Sequence, residues 1–183
     1  MEANTSIDDI RQILRELAQS KKETDRITQQ NAKLIGDLGN KFGSFTEGMA
    51  FPSMEKVLRE RFSMTTVATR YKSRRGGDTI EIDVLGIANS EVNTVIVVEV
   101  KSHLKSRDID QMLKILARFP EFSPEQKGKK LYGIIAFVEA SDNVIEEAKK
   151  AGLYVARIHD ELFDLLPPDG FLPKDFSQVQ LAQ

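Results

Sequence analysis

The 183 residues include no cysteine, no tryptophan and only two histidines. Without thiols there can be no disulfide framework, no thiolate zinc site and no cysteine nucleophile, and two imidazoles offer little for a histidine-based metal site. Any metal chemistry would therefore have to use oxygen ligands. No apolar run approaches the roughly 18 residues of a membrane span, and the opening MEANTSIDDIRQ lacks the basic-then-apolar order of a secretory leader. A cytoplasmic chain without a membrane partner is expected. Nor does one sign of charge dominate: 26 Lys plus Arg against 28 Asp plus Glu give a net charge of −2. That balance excludes a uniformly basic nucleic-acid coat and leaves local patches to meet an anionic partner. What the chain does have is 40% hydrophobic and 30% charged residues, enough to bury a core and too apolar to stay disordered. One domain with an appendage is the expected organisation.

Residues 6–38 contain no proline, and no glycine before Gly36, while apolar residues recur at spacings of three and four. This periodicity predicts a long helix. Written as heptads, Ile10, Leu17, Thr24, Asn31 and Leu38 take the a positions and Ile13, Ser20, Ile27 and Leu34 the d positions. Such a seam suits a coiled coil, and an Asn at a favours a parallel dimer in fixed register. A homodimer through this arm is expected, the alternative being that the stripe packs on its own domain. Six acidic and six basic residues among the first 36 argue against a nucleic-acid-binding tail. The arm is assigned to 1–36 and the compact domain to 37–183.

Gly36, Gly39 and Gly43 are expected to loosen the chain before a second helical pattern over 45–62, interrupted near Pro52. Three strand-like runs follow at 65–72, 79–88 and 94–102, separated by turn signals at Arg75-Gly76-Gly77-Asp78 and at 89–93. They read as an antiparallel meander. A helix over 106–119, with Ser106 as N-cap and Pro120 as stop, leads to an apolar strand at 131–138 that suits burial on both faces. A helix over 141–151 ends at Gly152, and a strand at 153–158 completes a parallel pair. The tail beyond Asp160 is expected to form a short helix and a loop. The fold class is α/β, a mixed sheet flanked by helices.

Alternation along the second strand places Glu81, Asp83 and Leu85 on one face, and along the third it places Val95, Val97, Glu99 and Lys101 on one face. Folding the hairpin about Glu91 sets Asp83 roughly opposite Glu99. Charges at the end of an apolar central strand are costly unless paired or bound to a metal, so the two carboxylates and Lys101 form either a structural ion pair or a cation site.

Ile82-Asp83, then fifteen intervening residues, then Glu99-Val100-Lys101 after an apolar strand, resembles the motif of the PD-(D/E)XK nuclease superfamily, the restriction-endonuclease-like fold. The element order of helix, three strands, helix and strand is similar too, over about residues 37–160. The chain is also similar to a narrower, largely prokaryotic group in which a coiled-coil arm leads into L-G-x-x-F-G-x-F-x-E, here Leu38 to Glu47. The resemblance implies an active site of Asp83, Glu99 and Lys101, with Glu47 as an acidic residue from the first core helix. It also points to Gln111, the first position of a Gln-x-x-x-Tyr pattern whose second position here is Ile115.

Asp83, Glu99 and the carbonyl of Val100, with Glu47 as a further ligand, are hard oxygen donors suited to Mg²⁺ or Mn²⁺. Lys101 beside them would orient water and stabilise developing charge. Arg70, Lys72, Arg74 and Arg75 at the first hairpin, and Lys105 and Arg107 after the motif, are the expected phosphate contacts for DNA; as surface charges they could equally be a solvated face. The expected activity is metal-dependent hydrolysis of DNA phosphodiester bonds. The alternatives are a non-catalytic nuclease-fold module that binds DNA or acts as a scaffold, and a coiled-coil adaptor.

Overall fold

The computed structural model describes residues 7–159, 162–166 and 171–178, apart from the side chains of 8, 9, 11, 32–50, 159 and 162. The chain divides into two compact units, Met1–Phe42 and Gly43–Gln183. Helix α1 (Ile7–Phe62) contributes to each. The expected loosening at Gly36, Gly39 and Gly43 is not found, because a glycine lowers helix propensity by about 1 kcal/mol but removes no hydrogen bond. Pro52 lies inside the helix rather than at a new start, where its missing N–H deletes one rung of the ladder. In the first unit Ile10, Ile13, Leu17 and Ile27 are all exposed, as are Ile7 and Leu14. Leu34 and Leu38, which would extend this stripe, lie outside the described side chains. Among the described residues, no helix is long and apolar enough to cross a membrane.

The second unit is built on a six-stranded mixed sheet with strands in sequential order. β1 (Thr66–Arg75), β2 (Asp78–Ala88) and β3 (Thr94–His103) form the expected antiparallel meander. Gly76 and Gly77, both at positive φ, make the two-residue turn between the first two, where a side chain would be strained. Helix α2 (Ser106–Phe122) crosses to β4 (Lys130–Glu139), parallel to β3, and α3 (Asp142–Lys150) crosses to β5 (Tyr154–His159), parallel to β4. β6 (Leu162–Leu165) then returns antiparallel along β5. This strand replaces the helix expected after Asp160: β5 would otherwise present an unpaired edge, and Leu162–Leu165 takes up its hydrogen bonds.

Both faces of the sheet are covered. On one, Ile109, Met112, Leu116 and Phe119 of α2 and Ile145 and Ala148 of α3 join a core with Ile82, Leu85, Val97 and Ile135. On the other, Met54 and Leu58 from the last turns of α1 join Val84, Val98, Ile134 and Ala136. β3 is thus buried on both sides, which is why Val95–Val98 reads as a continuous apolar run up to Glu99. α2 continues through Pro120 to Phe122, three residues past the expected stop, and its N-cap is Lys105 rather than Ser106. Ser106 instead donates its hydroxyl to Glu147 of α3 at 2.6 Å.

Gly133 of β4 lies beneath α2: a Cβ there would lie 2.7–2.8 Å from Leu153, Leu116 and Met112 side-chain atoms. Gly133→Ala is therefore expected to cost about 1–3 kcal/mol by overpacking, read as a lower urea midpoint at unchanged slope.

Candidate functional site

The β2–β3 ladder runs from Ala88↔Thr94 to Val84↔Val98 and ends there. Two residues further along β3 the backbone of Val100 donates its N–H not to a β2 carbonyl but to the carboxylate of Asp83, Oδ2, at 2.8 Å. A side chain thus takes the place of a strand carbonyl, and the two strands part beyond it. This is also where β2 changes face. Ile80, Ile82 and Leu85 belong to the core beneath α2, while Val84 belongs to the opposite one. The expectation that Leu85 shares a face with Glu81 and Asp83 is accordingly corrected: the period of two slips between Ile82 and Val84. β1 slips at the same level, since Val67 packs on the α1 side and Tyr71 on the α2 side. In its register Thr69 faces Val84 and Tyr71 faces Ile82, which leaves Arg70 and Asp83 between them. Arg70 has φ of 52°, a left-handed conformation that costs a residue with a Cβ roughly 1–2 kcal/mol.

Glu99 is buried, with 6% of its surface exposed, and its Oε1 accepts from Lys101 Nζ at 2.6 Å. Burial pushes the Glu99 carboxyl up, and the nearby Asp83 charge pushes it further in the same direction against the pull of Lys101. Burial also raises Asp83, opposed by the Val100 N–H and by the charges of Lys101 and Arg70. For Lys101, burial would favour the neutral amine, but the hydrogen bond to Glu99 and the charges of Glu99, Asp83 and Asp108 outweigh it and raise its pKa. The site is therefore two carboxylates that resist ionising side by side, with a firmly protonated lysine against one of them. Neither Asp83 Oδ1 nor Glu99 Oε2 accepts a hydrogen bond from a described residue.

Asp108, read from sequence only as a first-turn helix acid, is a further member of this neighbourhood. It is buried, and its Oδ2 accepts the backbone N–H of Lys105 at 2.9 Å, closing the reciprocal half of a capping box. Its place three residues into the helix was the available signal; that its charge bears on Glu99 and Lys101 follows only from how α2 packs. Gln111 is exposed one turn along α2 from Asp108, and Ile115 turns into the α2 core. Glu47 belongs to α1, but its side chain lies outside the described residues. Among the described residues, no group of three or more His, Asp and Glu is arranged to hold a metal ion.

The six basic residues separate into distinct places. Arg70 stands near Asp83, whose ionised form its charge favours, and its guanidinium lies on the α1 side over the ring of Phe51, 6.0 Å from its centre. Lys72 pairs with Glu81 at 2.8 Å on the surface. The hairpin tip curls onto the C-terminal end of α2, where Arg75 donates to the Glu121 carbonyl and Ser73 to the Phe122 carbonyl, and Arg118 meets Asp78. Arg74 is exposed beside it. Lys105 and Arg107 stand at the other end of the helix, which at 1.5 Å per residue is about 24 Å away. There, beyond Lys101, a cleft between α2 and α3 is lined by His103, Lys105, Ser106, Glu139 and Ser141.

The chain belongs to the family described as a domain of unknown function, DUF8196, whose model matches residues 52–165. No curated protein matches it. Among solved structures it is similar to that of an EndoMS–dsDNA2 complex, at 14% identity and a TM-score of 0.39, over 61% of this chain and 45% of that one. It is similar also to a repair endonuclease from Pyrococcus abyssi, at 19% identity and a TM-score of 0.38, over 60% and 47%. The chain thus spans less than half the length of either.

Because the folded state raises both carboxyl pKa values, their contribution to stability is fully present below the ordinary carboxylate range and is lost as pH rises through the raised values. Glu99→Gln, which cannot ionise, is expected to raise the metal-free thermal midpoint at pH 7.5 by about 2–4 °C, what roughly 1 kcal/mol is worth at this size. The gain should vanish as pH falls below the raised values. A midpoint lowered by the substitution at pH 7.5 would mean that the Lys101 ion pair outweighs the carboxylate repulsion.

Proposed function

We propose that this chain is a metal-dependent nuclease that hydrolyses DNA phosphodiester bonds at Asp83, Glu99 and Lys101. The observation that carries the reading is the pairing of two carboxylates whose ionised forms are disfavoured, at the end of an apolar central strand, each with an oxygen left over. A chain that keeps such a pair without a cation bears a cost that a divalent ion would relieve. The donor set fits Mg²⁺ or Mn²⁺: Asp83, Glu99 and the Val100 carbonyl would hold it, with Glu47 as a further ligand. When bound, the ion would acidify a water and neutralise charge on the phosphate. Lys101, whose raised pKa keeps it protonated, would orient that water and meet the charge developing on the phosphate oxygens; it is not the base. Lys105 and Arg107, at the start of α2, would hold the flanking backbone, and Gln111 is exposed one turn further along the same helix.

The reading includes a parallel homodimer through the first helix. Ile10, Ile13, Leu17 and Ile27 form a solvent-facing stripe that a second copy would cover. In the heptad frame Glu16 falls at g and Lys21 at the following e, the positions that meet across a parallel pair, and Asn31 would meet its own copy at a.

Cleavage of supercoiled, linear or branched DNA is expected with Mg²⁺ or Mn²⁺ and not in chelator, and Glu99→Ala or Lys101→Ala should lower the rate by roughly 100-fold or more. Wild-type protein that binds DNA and Mn²⁺ yet cuts none of these substrates would instead be a non-catalytic binding module. For assembly, sedimentation at tens of micromolar should show a dimer that Leu17→Glu shifts to monomer. A wild-type monomer at that concentration would return the stripe to some other use.

A further inference from the structure

We propose that Arg70 is a positioning residue of this site, the cation that faces Asp83 in the resting protein and a phosphate oxygen of the bound strand once a metal has taken the carboxylate. The inference rests on the nuclease reading and adds to it a residue from the first strand.

Three observations converge on this side chain. The register brackets Arg70 opposite Asp83, at the one level where β1 and β2 both change face. The backbone there is left-handed although the residue is not glycine. If the bend alone mattered, glycine would make it without strain, so the presence of arginine points to a use for its head group. Finally, the guanidinium rests over Phe51 and makes no hydrogen bond or ion pair among the described residues. A ring face holds the cation in place without consuming its N–H donors, and a planar fork of free donors matches a phosphate. The neighbouring candidates are differently committed: Lys72 to Glu81, and Arg75 to the end of α2.

A divalent ion arriving at Asp83 would find Arg70 repelling it, whereas an incoming phosphate would be attracted. Removing the charge must therefore move the two affinities in opposite directions, which loss of folding or of rigidity would not do.

The test uses the full chain and Arg70→Gly, which keeps the left-handed bend and deletes only the side chain. Mn²⁺ binding is measured by calorimetry without DNA, and binding of a DNA duplex is measured in chelator at fixed salt. Expected are an Mn²⁺ affinity about two- to fivefold tighter and a DNA affinity about tenfold weaker, with Arg70→Lys near wild type for Mn²⁺ and intermediate for DNA. If wild type binds Mn²⁺ and Arg70→Gly leaves both affinities unchanged, or weakens both together, the inference is overturned while the metal site stands. If wild type binds no Mn²⁺, the metal site and this role for Arg70 fall together.

Discussion

The hydrogen bond from the Val100 amide to the Asp83 carboxylate decides how the middle of the sheet is built. Beyond Val84↔Val98 the two strands have no further backbone pairing, and an amide left without an acceptor inside the sheet would cost about 1–3 kcal/mol. The carboxylate removes that cost and lets β2 diverge. Divergence opens the α2 side of β3 just where Glu99 and Lys101 emerge, while Val98 and Val100 remain packed on the α1 side. A continued ladder would have closed the same space with a cross-strand neighbour.

The electrostatics are not those of a stability device. An ion pair between Lys101 and Glu99 alone would be satisfied and quiet, but Asp83 beside it and Asp108 beyond add like charge that raises Glu99. Apolar residues of similar volume would pack here at no such cost. The cost falls on a central strand flanked by an antiparallel and a parallel partner and covered by a helix on each face, where packing fixes the side chains closely.

Much of this was legible in the chain because it rests on period and turn. The meander, the buried run ending at Glu99, the parallel crossovers and the level of Asp83 against Glu99 all follow from alternation and from the centre of the 89–93 turn. The face change at Asp83 is not legible, since it coincides with a left-handed arginine on the neighbouring strand, and nothing in the local sequence marks Arg70 for that conformation as a glycine or asparagine would. Leu162–Leu165 is too short to show its strand in sequence, because four residues carry too little periodicity; the open edge of β5, a tertiary fact, makes them a strand. The three glycines before residue 45 do not end the helix, their cost being a matter of propensity and not of lost hydrogen bonds.

The same curling of the hairpin changes how a nucleic acid would lie. Sequence proximity suggested one basic rim around the carboxylates, yet the hairpin tip is bound to the C-terminal end of α2 and Lys105 and Arg107 stand at its N-terminal end. The roughly 24 Å between them corresponds to about seven base pairs at 3.4 Å per step. In the proposed reading a duplex along α2 would meet Lys105 and Arg107 close to Lys101, and Arg74 more than half a helical turn away. Arg70 stands near Asp83 from the β1 side. The distant charges would then set the direction of the duplex, and the near ones would fix which phosphate faces Glu99, a division of labour that follows from the fold of the hairpin and not from the number of basic residues.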